Sequence, residues 1–238
     1  MVIYCGVLAS GKGERFSRKG HPKQLIPIAG SALFTETLKA VLASSAVDQI
    51  AIAVLPELEE LFHQEIDKRF ITEERTQITV VHGGSTRMNS ILNIINHFKK
   101  SNVIGEDDIL MIVDANRPLV STHLYEQVIE AALNHDVSCP ARPLVDGVAT
   151  VDAGFITSIP NKRNIYSIQT PEACKFHTLN ELIIQDLHLT HLGICEMFQA
   201  IGTNPKIVLS DFTTHKVTHK GDFEIIQTIM ELQQQDDL

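Results

Sequence analysis

An α/β fold with a Rossmann-like, doubly wound and mostly parallel sheet is predicted by three features of the sequence. Apolar runs of strand length recur, amphipathic stretches of helix length separate them, and a glycine-rich turn follows the first run directly. The 238 residues are 44% hydrophobic and 21% charged, which is enough apolar material for one sizeable core.

The strand-like runs are Ile3–Ala9, Gln49–Leu55, Ile78–His82, Ile109–Val113 and Val137–Pro140. Each is apolar along its length rather than alternating, as parallel strands covered on both faces are. Between them, helical spacing links Leu33, Phe34, Leu38, Val41 and Leu42, then Leu58, Leu61, Phe62 and Ile66. The same spacing returns at Met88, Ile91, Leu92, Ile95 and Phe98, and at Leu124, Val128, Ile129 and Leu133. Pro56 suits the first turn of the second helix. Beyond residue 140 the alternation stops. Val145–Val151 and Phe155–Ile159 flank Asp152-Ala153-Gly154 and predict a hairpin with a glycine-containing turn. Two more helical segments, near Leu179–Leu187 and Asp222–Leu232, enclose a short strand at Lys206–Leu209. With no repeat and no linker, residues 1–238 form one domain carrying a β-arm at about 144–168.

Composition narrows the partners. Lys plus Arg number 20 against 29 Asp plus Glu, a formal charge of −9, so a nucleic-acid footprint is not expected. No run approaches the roughly eighteen apolar residues of a membrane span, and no membrane partner is expected. Cys5, Cys139, Cys174 and Cys195 are far apart and form no C-x-x-C, which predicts reduced thiols in a cytoplasm, with neither disulfide nor zinc. His188 and His191 could share a helix face but have no third partner.

Against this acidic background, the stretch after the first strand carries Lys12, Arg15, Arg18, Lys19 and Lys23 with the single acid Glu14. An open α/β sheet binds ligands beyond the carboxyl ends of its strands, so this local positive charge predicts a phosphate-bearing ligand. Glycines there let backbone N–H groups approach an anion. The Walker pattern is absent, and Phe16 stands where a dinucleotide fingerprint needs its third glycine. His82-Gly83-Gly84-Ser85-Thr86-Arg87-Met88-Asn89-Ser90 leads from the third strand into a helix. Ser85 or Thr86 can cap that helix, while Gly83, Gly84 and Ser90 can line a nucleobase slot. Asp114, at the end of a buried strand, is apt as a Mg²⁺ ligand beside phosphates. Asp107 and Asp108 lie at the opposite end of that strand and read as solvated loop charges.

Six motifs in order carry a family resemblance. They are L-A-x-G-x-G-x-R (Leu8 to Arg15), P-K-Q (Pro22 to Gln24), G-G-x-x-R-x-x-S (Gly83 to Ser90), D-A-x-R-P (Asp114 to Pro118), Q-T-P (Gln169 to Pro171) and K-V-T (Lys216 to Thr218). Spanning about residues 7–218, the set resembles the cytidylyltransferases acting on methylerythritol phosphate and ribitol phosphate. The segments Ser158–Tyr166 and Asn93–His97 are more similar to the ribitol-phosphate branch.

The resemblance implies a homodimer built with the projecting arm, and a reaction in which CTP and a polyol phosphate give a CDP-polyol and pyrophosphate. Ribitol 5-phosphate is the favoured acceptor. By position, Arg15, Lys23 and Lys216 would be catalytic cations on the phosphates. Ala9, Ser10, Gly11, Gly13, Gly83, Gly84, Ser90 and Ala115 would bind the nucleotide. Arg163 and Thr170 would bind the acceptor phosphate, from the same or from the partner subunit, and Asp114 would hold Mg²⁺. The chain departs from the family pattern at Val113, at Glu172, at Thr214-His215, and where Leu192–Glu196 replaces an acidic element. Rival expectations are a methylerythritol-phosphate acceptor serving isoprenoid rather than wall or capsule synthesis, a non-catalytic CTP-binding homologue, and a dehydrogenase.

Overall fold

A computed structural model describes residues 1–13, 16, 22–101, 103–186 and 193–236. The expectations placed on Arg15, Arg18, Lys19, Leu187, His188, His191 and Leu192 lie outside them. In chain order the elements are β1 (Ile3–Leu8), a small hairpin of β2 (Pro27–Ile28) and β3 (Ser31–Ala32), α1 (Leu33–Ala43), β4 (Gln49–Val54), α2 (Glu59–Arg69), α3 (Thr72–Arg75), β5 (Ile78–His82), α4 (Arg87–Ser101), β6 (Ile109–Asp114) and α5 (Thr122–His135). There follow β7 (Val137–Pro143), the arm strands β8 (Thr150–Asp152) and β9 (Phe155–Ser158), β10 (Tyr166–Ile168), β11 (Glu172–Lys175), α6 (Phe176–Ile184), α7 (Ile194–Ala200), β12 (Lys206–Leu209) and α8 (Lys220–Asp236).

The main sheet has the order β10-β7-β11-β6-β1-β4-β5, with β12 on the other edge of β7. β6, β1, β4 and β5 run parallel, as predicted. The fifth predicted strand does not join them directly. β11 enters between β6 and β7 and is antiparallel to both, so the sheet is mixed from there outward. The polar ends of Glu172-Ala173-Cys174-Lys175 hide this strand from a search for apolar runs. β10 and β11 follow the same edge of β7, but between Ile168↔Ala141 and Ala173↔Ser138 one strand uses five residues and the other three. The resulting bulge contains Thr170 and places it under the end of β6.

Side-chain parity explains the two layers. Ile3, Cys5 and Val7 of β1 and Ile109, Met111 and Val113 of β6 face α1, α2 and α5. Tyr4, Leu110 and Ile112 face α4, α6 and α7 on the opposite side. Gly6 is required there, because a Cβ would lie 2.7 Å from the Ile112 Cδ1 and 3.0 Å from Ile94 of α4. A third, smaller cluster of Ile28, Leu33, Val217, Ile226 and Met230 holds α8 against the β2–β3 hairpin.

Several boundaries differ from expectation. β5 is the last strand of the sheet and half-exposed rather than buried on both faces. Pro56 opens a 3-10 turn that precedes α2. The arm strand begins at Thr150 instead of Val145, and turns through Ala153 and Gly154, both at positive φ (46° and 85°), the geometry a two-residue hairpin loop requires. Asp108 is buried, not solvated: Oδ1 accepts from the Val2 N–H at 2.7 Å and Oδ2 from the Gly105 N–H at 2.8 Å. Among the described residues no helix is long and apolar enough to cross a membrane.

Candidate active site

The carboxyl ends of the four parallel strands open onto one cleft of about 600 Å³. β1 delivers Ser10, Gly11 and Gly13 to it, the β5–α4 turn delivers Gly84, and β6 delivers Asp114. Both glycines of that turn are forced by packing. A Cβ on Gly83 would lie 2.3 Å from the Ser10 Cβ, and one on Gly84 would lie 2.3 Å from the Asn89 Cβ. The Thr86 hydroxyl accepts from the Asn89 N–H at 3.1 Å and caps α4, so the capping role read from sequence belongs to Thr86.

Lys23, in a 3-10 turn, is buried, and its Nζ donates to the Val217 carbonyl at 2.9 Å. Asn116 donates through Nδ2 to the same carbonyl at 2.5 Å, and its own carbonyl accepts from the Val217 N–H at 2.9 Å. These bonds fix residue 217 and bring the neighbouring Lys216 over Asp114, with Nζ 2.9 Å from Oδ2. Arg117 approaches the same oxygen from beneath at 3.3 Å. Its Nε also donates to the Thr170 hydroxyl at 2.9 Å, and its Nη1 to the Thr214 carbonyl. Burial alone would raise the Asp114 carboxyl, but Lys216, Arg117 and Arg87 outweigh it and hold the pKa down to about 2. Asp114 is thus an ionised carboxylate at neutral pH.

A second buried carboxylate, Glu172 of β11, sits 3.2 Å from Nη2 of Arg87, the first residue of α4. Burial pushes Glu172 upward, against the pull of Arg87. Arg87 itself is raised: burial lowers it, and Glu172 and Asp114 more than compensate.

Of the residues named from sequence, the structure brings Ser10, Gly11, Gly13, Lys23, Gly84, Asp114 and Lys216 to the cleft wall. Ala9, Gly83, Ser90 and Ala115 stand behind it. Ser90 is 1% exposed, and its hydroxyl is engaged by the Gly84 N–H at 3.0 Å, by Ser10 Oγ at 2.9 Å and by the Thr86 carbonyl at 3.1 Å. It braces the wall rather than facing a ligand. Ala9 and Ala115 are fully enclosed, their N–H groups bonded to Ala53 and Leu8. Thr170 is buried beneath Asp114, its hydroxyl accepting from the Asp114 N–H at 3.2 Å as well as from Arg117. Arg163 is exposed in a turn beside the arm and does not line the cleft. Lys12 lines it as one of the cations that follow β1, and Phe16, Gln24, Arg87, Asn116 and Thr218 line it without a binding role read from the sequence. Arg87 and Asn116 stand inside the quoted motifs, which was the available signal. Glu172 and Arg117 join through β11, whose placement is a tertiary fact.

Mg²⁺ usually takes one or two carboxylates and completes its shell with substrate phosphates and water. Asp114 is the one carboxylate among the described residues lining the cleft, and no group of three or more metal-ligating side chains gathers among them. That donor set fits an ion that arrives with a phosphate ligand.

A glycine-rich loop, cations and one ionised carboxylate at the ends of parallel strands define a nucleotidyltransferase cleft. The chain belongs to the IspD family, 2-C-methyl-D-erythritol 4-phosphate cytidylyltransferase, which it matches over residues 3–232, and it is a CTP-dependent cytidylyltransferase. Ribitol-5-phosphate cytidylyltransferase of Streptococcus pneumoniae serotype 2 (strain D39) is 26% identical over 234 residues, covering 97% of this chain and 99% of that one. The same enzyme of strain CGSP14 is 25% identical over the same shares. Among solved structures, 4-diphosphocytidyl-2C-methyl-D-erythritol synthase of Anaerococcus prevotii superposes with a TM-score of 0.80 at 20% identity, covering 97% of this chain and 96% of that one. The Francisella tularensis 2-C-methyl-D-erythritol 4-phosphate cytidylyltransferase gives 0.75 at 23%, over 96% and 99%. These structures share the fold.

Proposed function

We propose that the protein transfers CMP from CTP to ribitol 5-phosphate, forming CDP-ribitol and pyrophosphate. The observation that carries the acceptor is the end-to-end match to ribitol-5-phosphate cytidylyltransferases, at 97% and 99% coverage. The six motifs and the cation-lined cleft support the transfer itself.

An oxygen of the acceptor phosphate attacks the α-phosphorus of CTP; that P–O bond forms as the bond to the β-phosphate oxygen breaks and pyrophosphate leaves. A phosphate oxygen is already ionised at neutral pH, so no general base is needed. The work is alignment and charge neutralisation. Lys23 and Lys216 hold the triphosphate, with Arg15 joining them. Backbone N–H groups at Ser10, Gly11 and Gly13 approach the nucleotide, and Ser90, which takes up the Gly84 N–H, keeps Gly84 and Ser10 in place. Asp114 would hold Mg²⁺, which when bound would neutralise charge on the phosphates. Arg163 and Thr170 serve the acceptor, Thr170 through its hold on Arg117 and Asp114.

A homodimer completes this reading. Val151, Phe155 and Ile156 of the arm are 62%, 76% and 63% exposed, a surface of the kind that a second copy covers. With that copy's arm laid across the cleft, Arg163 comes from the partner subunit. Four reduced thiols, all buried, agree with a cytoplasmic setting.

The test is pyrophosphate release, crossing CTP, UTP, ATP and GTP with ribitol 5-phosphate, methylerythritol 4-phosphate and other polyol phosphates. CTP with ribitol 5-phosphate is expected to give the highest kcat/KM. Faster turnover with methylerythritol 4-phosphate would reassign the acceptor, and no release with any pair would leave a nucleotide-binding protein without this activity.

A further inference from the structure

We infer that Glu172 is a positioning residue for nucleotide binding, acting through Arg87, which meets the bound nucleotide from the start of α4. This rests on the cytidylyl-transfer reading and adds two residues to it. Arg87 lines the same cleft as Lys23 and Lys216, and follows directly on Gly84, Ser85 and Thr86, which line it too. An arginine side chain has many rotamers, and its entropy would be lost on each binding event were it not fixed beforehand. Here it is fixed. Glu172 is 7% exposed and holds Nη2 at 3.2 Å, and α7 closes behind the pair, where a Cβ on Gly193 would lie 3.2 Å from Glu172 Oε1 and 3.8 Å from Arg87 Nη1. A carboxylate this enclosed is costly without its partner, so the pair is held together from both sides.

The charges are divided unequally around it. Arg117 is also buried, but its donors go to Asp114, Thr170 and the Thr214 carbonyl, beneath the cleft floor. Arg87 instead lines the cleft, its side chain 34% exposed. Arginine forks suit phosphate and carbonyl oxygens alike, whereas a lysine supplies only a point charge.

The experiment measures CTP dissociation constants by calorimetry for the full chain, Arg87→Ala, Glu172→Ala and the double variant, with thermal melts alongside. Arg87→Ala and Glu172→Ala are each expected to weaken CTP about tenfold, the size of one charge-assisted hydrogen bond, and the double variant to be no weaker than Arg87→Ala. A purely structural role would lower melting temperature and leave the dissociation constant of folded protein unchanged. Should Glu172→Ala not fold, Glu172→Gln fills the same volume and is expected to weaken CTP about threefold in the wild-type background and not at all beside Arg87→Ala. Unchanged affinity in folded Glu172 variants, or losses that add in the double variant, would overturn the inference. Failure of the wild-type chain to bind CTP would instead overturn the parent reading.

Discussion

The two halves of the sheet obey different rules. β6, β1, β4 and β5 are parallel, their apolar side chains are covered on both faces save at β5, and their carboxyl ends build the cleft. β7, β10, β11 and β12 are joined largely antiparallel, and their half leaves Ile168, Leu209 and the arm's Phe155 at 54%, 68% and 76% exposure. The parallel half is complete within one chain. The other half supplies the floor under Asp114 from its inner edge, through Thr170 and Glu172, and offers an uncovered apolar surface at its outer edge.

This contrast predicts where substitutions hurt most. Lys23 is buried at the cleft that the parallel half builds, and under the proposed function it holds the triphosphate. Lys23→Ala is expected to lower kcat on the order of 10²-fold, as removal of a preorganised electrostatic donor does. A loss under threefold would place the triphosphate elsewhere.

Asp114 joins the halves, and its effect is read in acid. Its folded pKa of about 2 lies below the ordinary carboxylate value, so its ion pairs contribute stability in full above about pH 4. That contribution, on the order of 2 kcal/mol, is lost as pH falls toward 2. The unfolding free-energy difference between the wild type and Asp114→Asn should therefore shrink between pH 5 and pH 2. A constant difference would show that Lys216 and Arg117 do not stabilise the charged form.

At the outer edge, Arg163→Ala is expected to raise the acceptor KM about tenfold, the value of one charge-assisted contact, with the CTP dissociation constant little changed. Mixing Arg163→Ala with Lys23→Ala chains should then restore part of the activity, because in the proposed dimer a mixed pair has one site with both residues intact. No recovery would confine Arg163 to its own subunit.

How much of this was readable follows the same division. β1, β4 and β6 are legible because complete burial leaves an unbroken apolar run, β5 because Ile78, Val80 and Val81 keep one though it is half-exposed, and the cleft because its glycines and cations stand at the strand ends. β11 was not visible. It is four residues long, it begins and ends with Glu172 and Lys175, and its place in the sheet depends on β6 and β7. The Glu172–Arg87 and Arg117–Thr170 contacts inherit that invisibility, since each crosses from one half to the other. Ser90 shows the converse: its spacing from Gly84 put it at the site, but only packing shows that its hydroxyl is already engaged by Ser10, Gly84 and Thr86.

Asp108 is the smallest test of the comparison, because it stands at the far end of β6 from the cleft. Read from sequence it is one more loop acid beside Asp107. In the fold its two carboxylate oxygens tie the start of β1 and the turn at Gly105 to the amino end of the parallel half. Asp108→Asn keeps one acceptor and replaces the other with a donor, leaving one of two N–H groups without its partner. The expected loss is about 1 kcal/mol in chemical denaturation, at the lower end of the cost of an unpaired buried polar group. CTP and acceptor KM values should not move, since the substituted group lies a full strand length from Asp114. A changed KM would mean that the parallel half does not hold the cleft as a rigid frame.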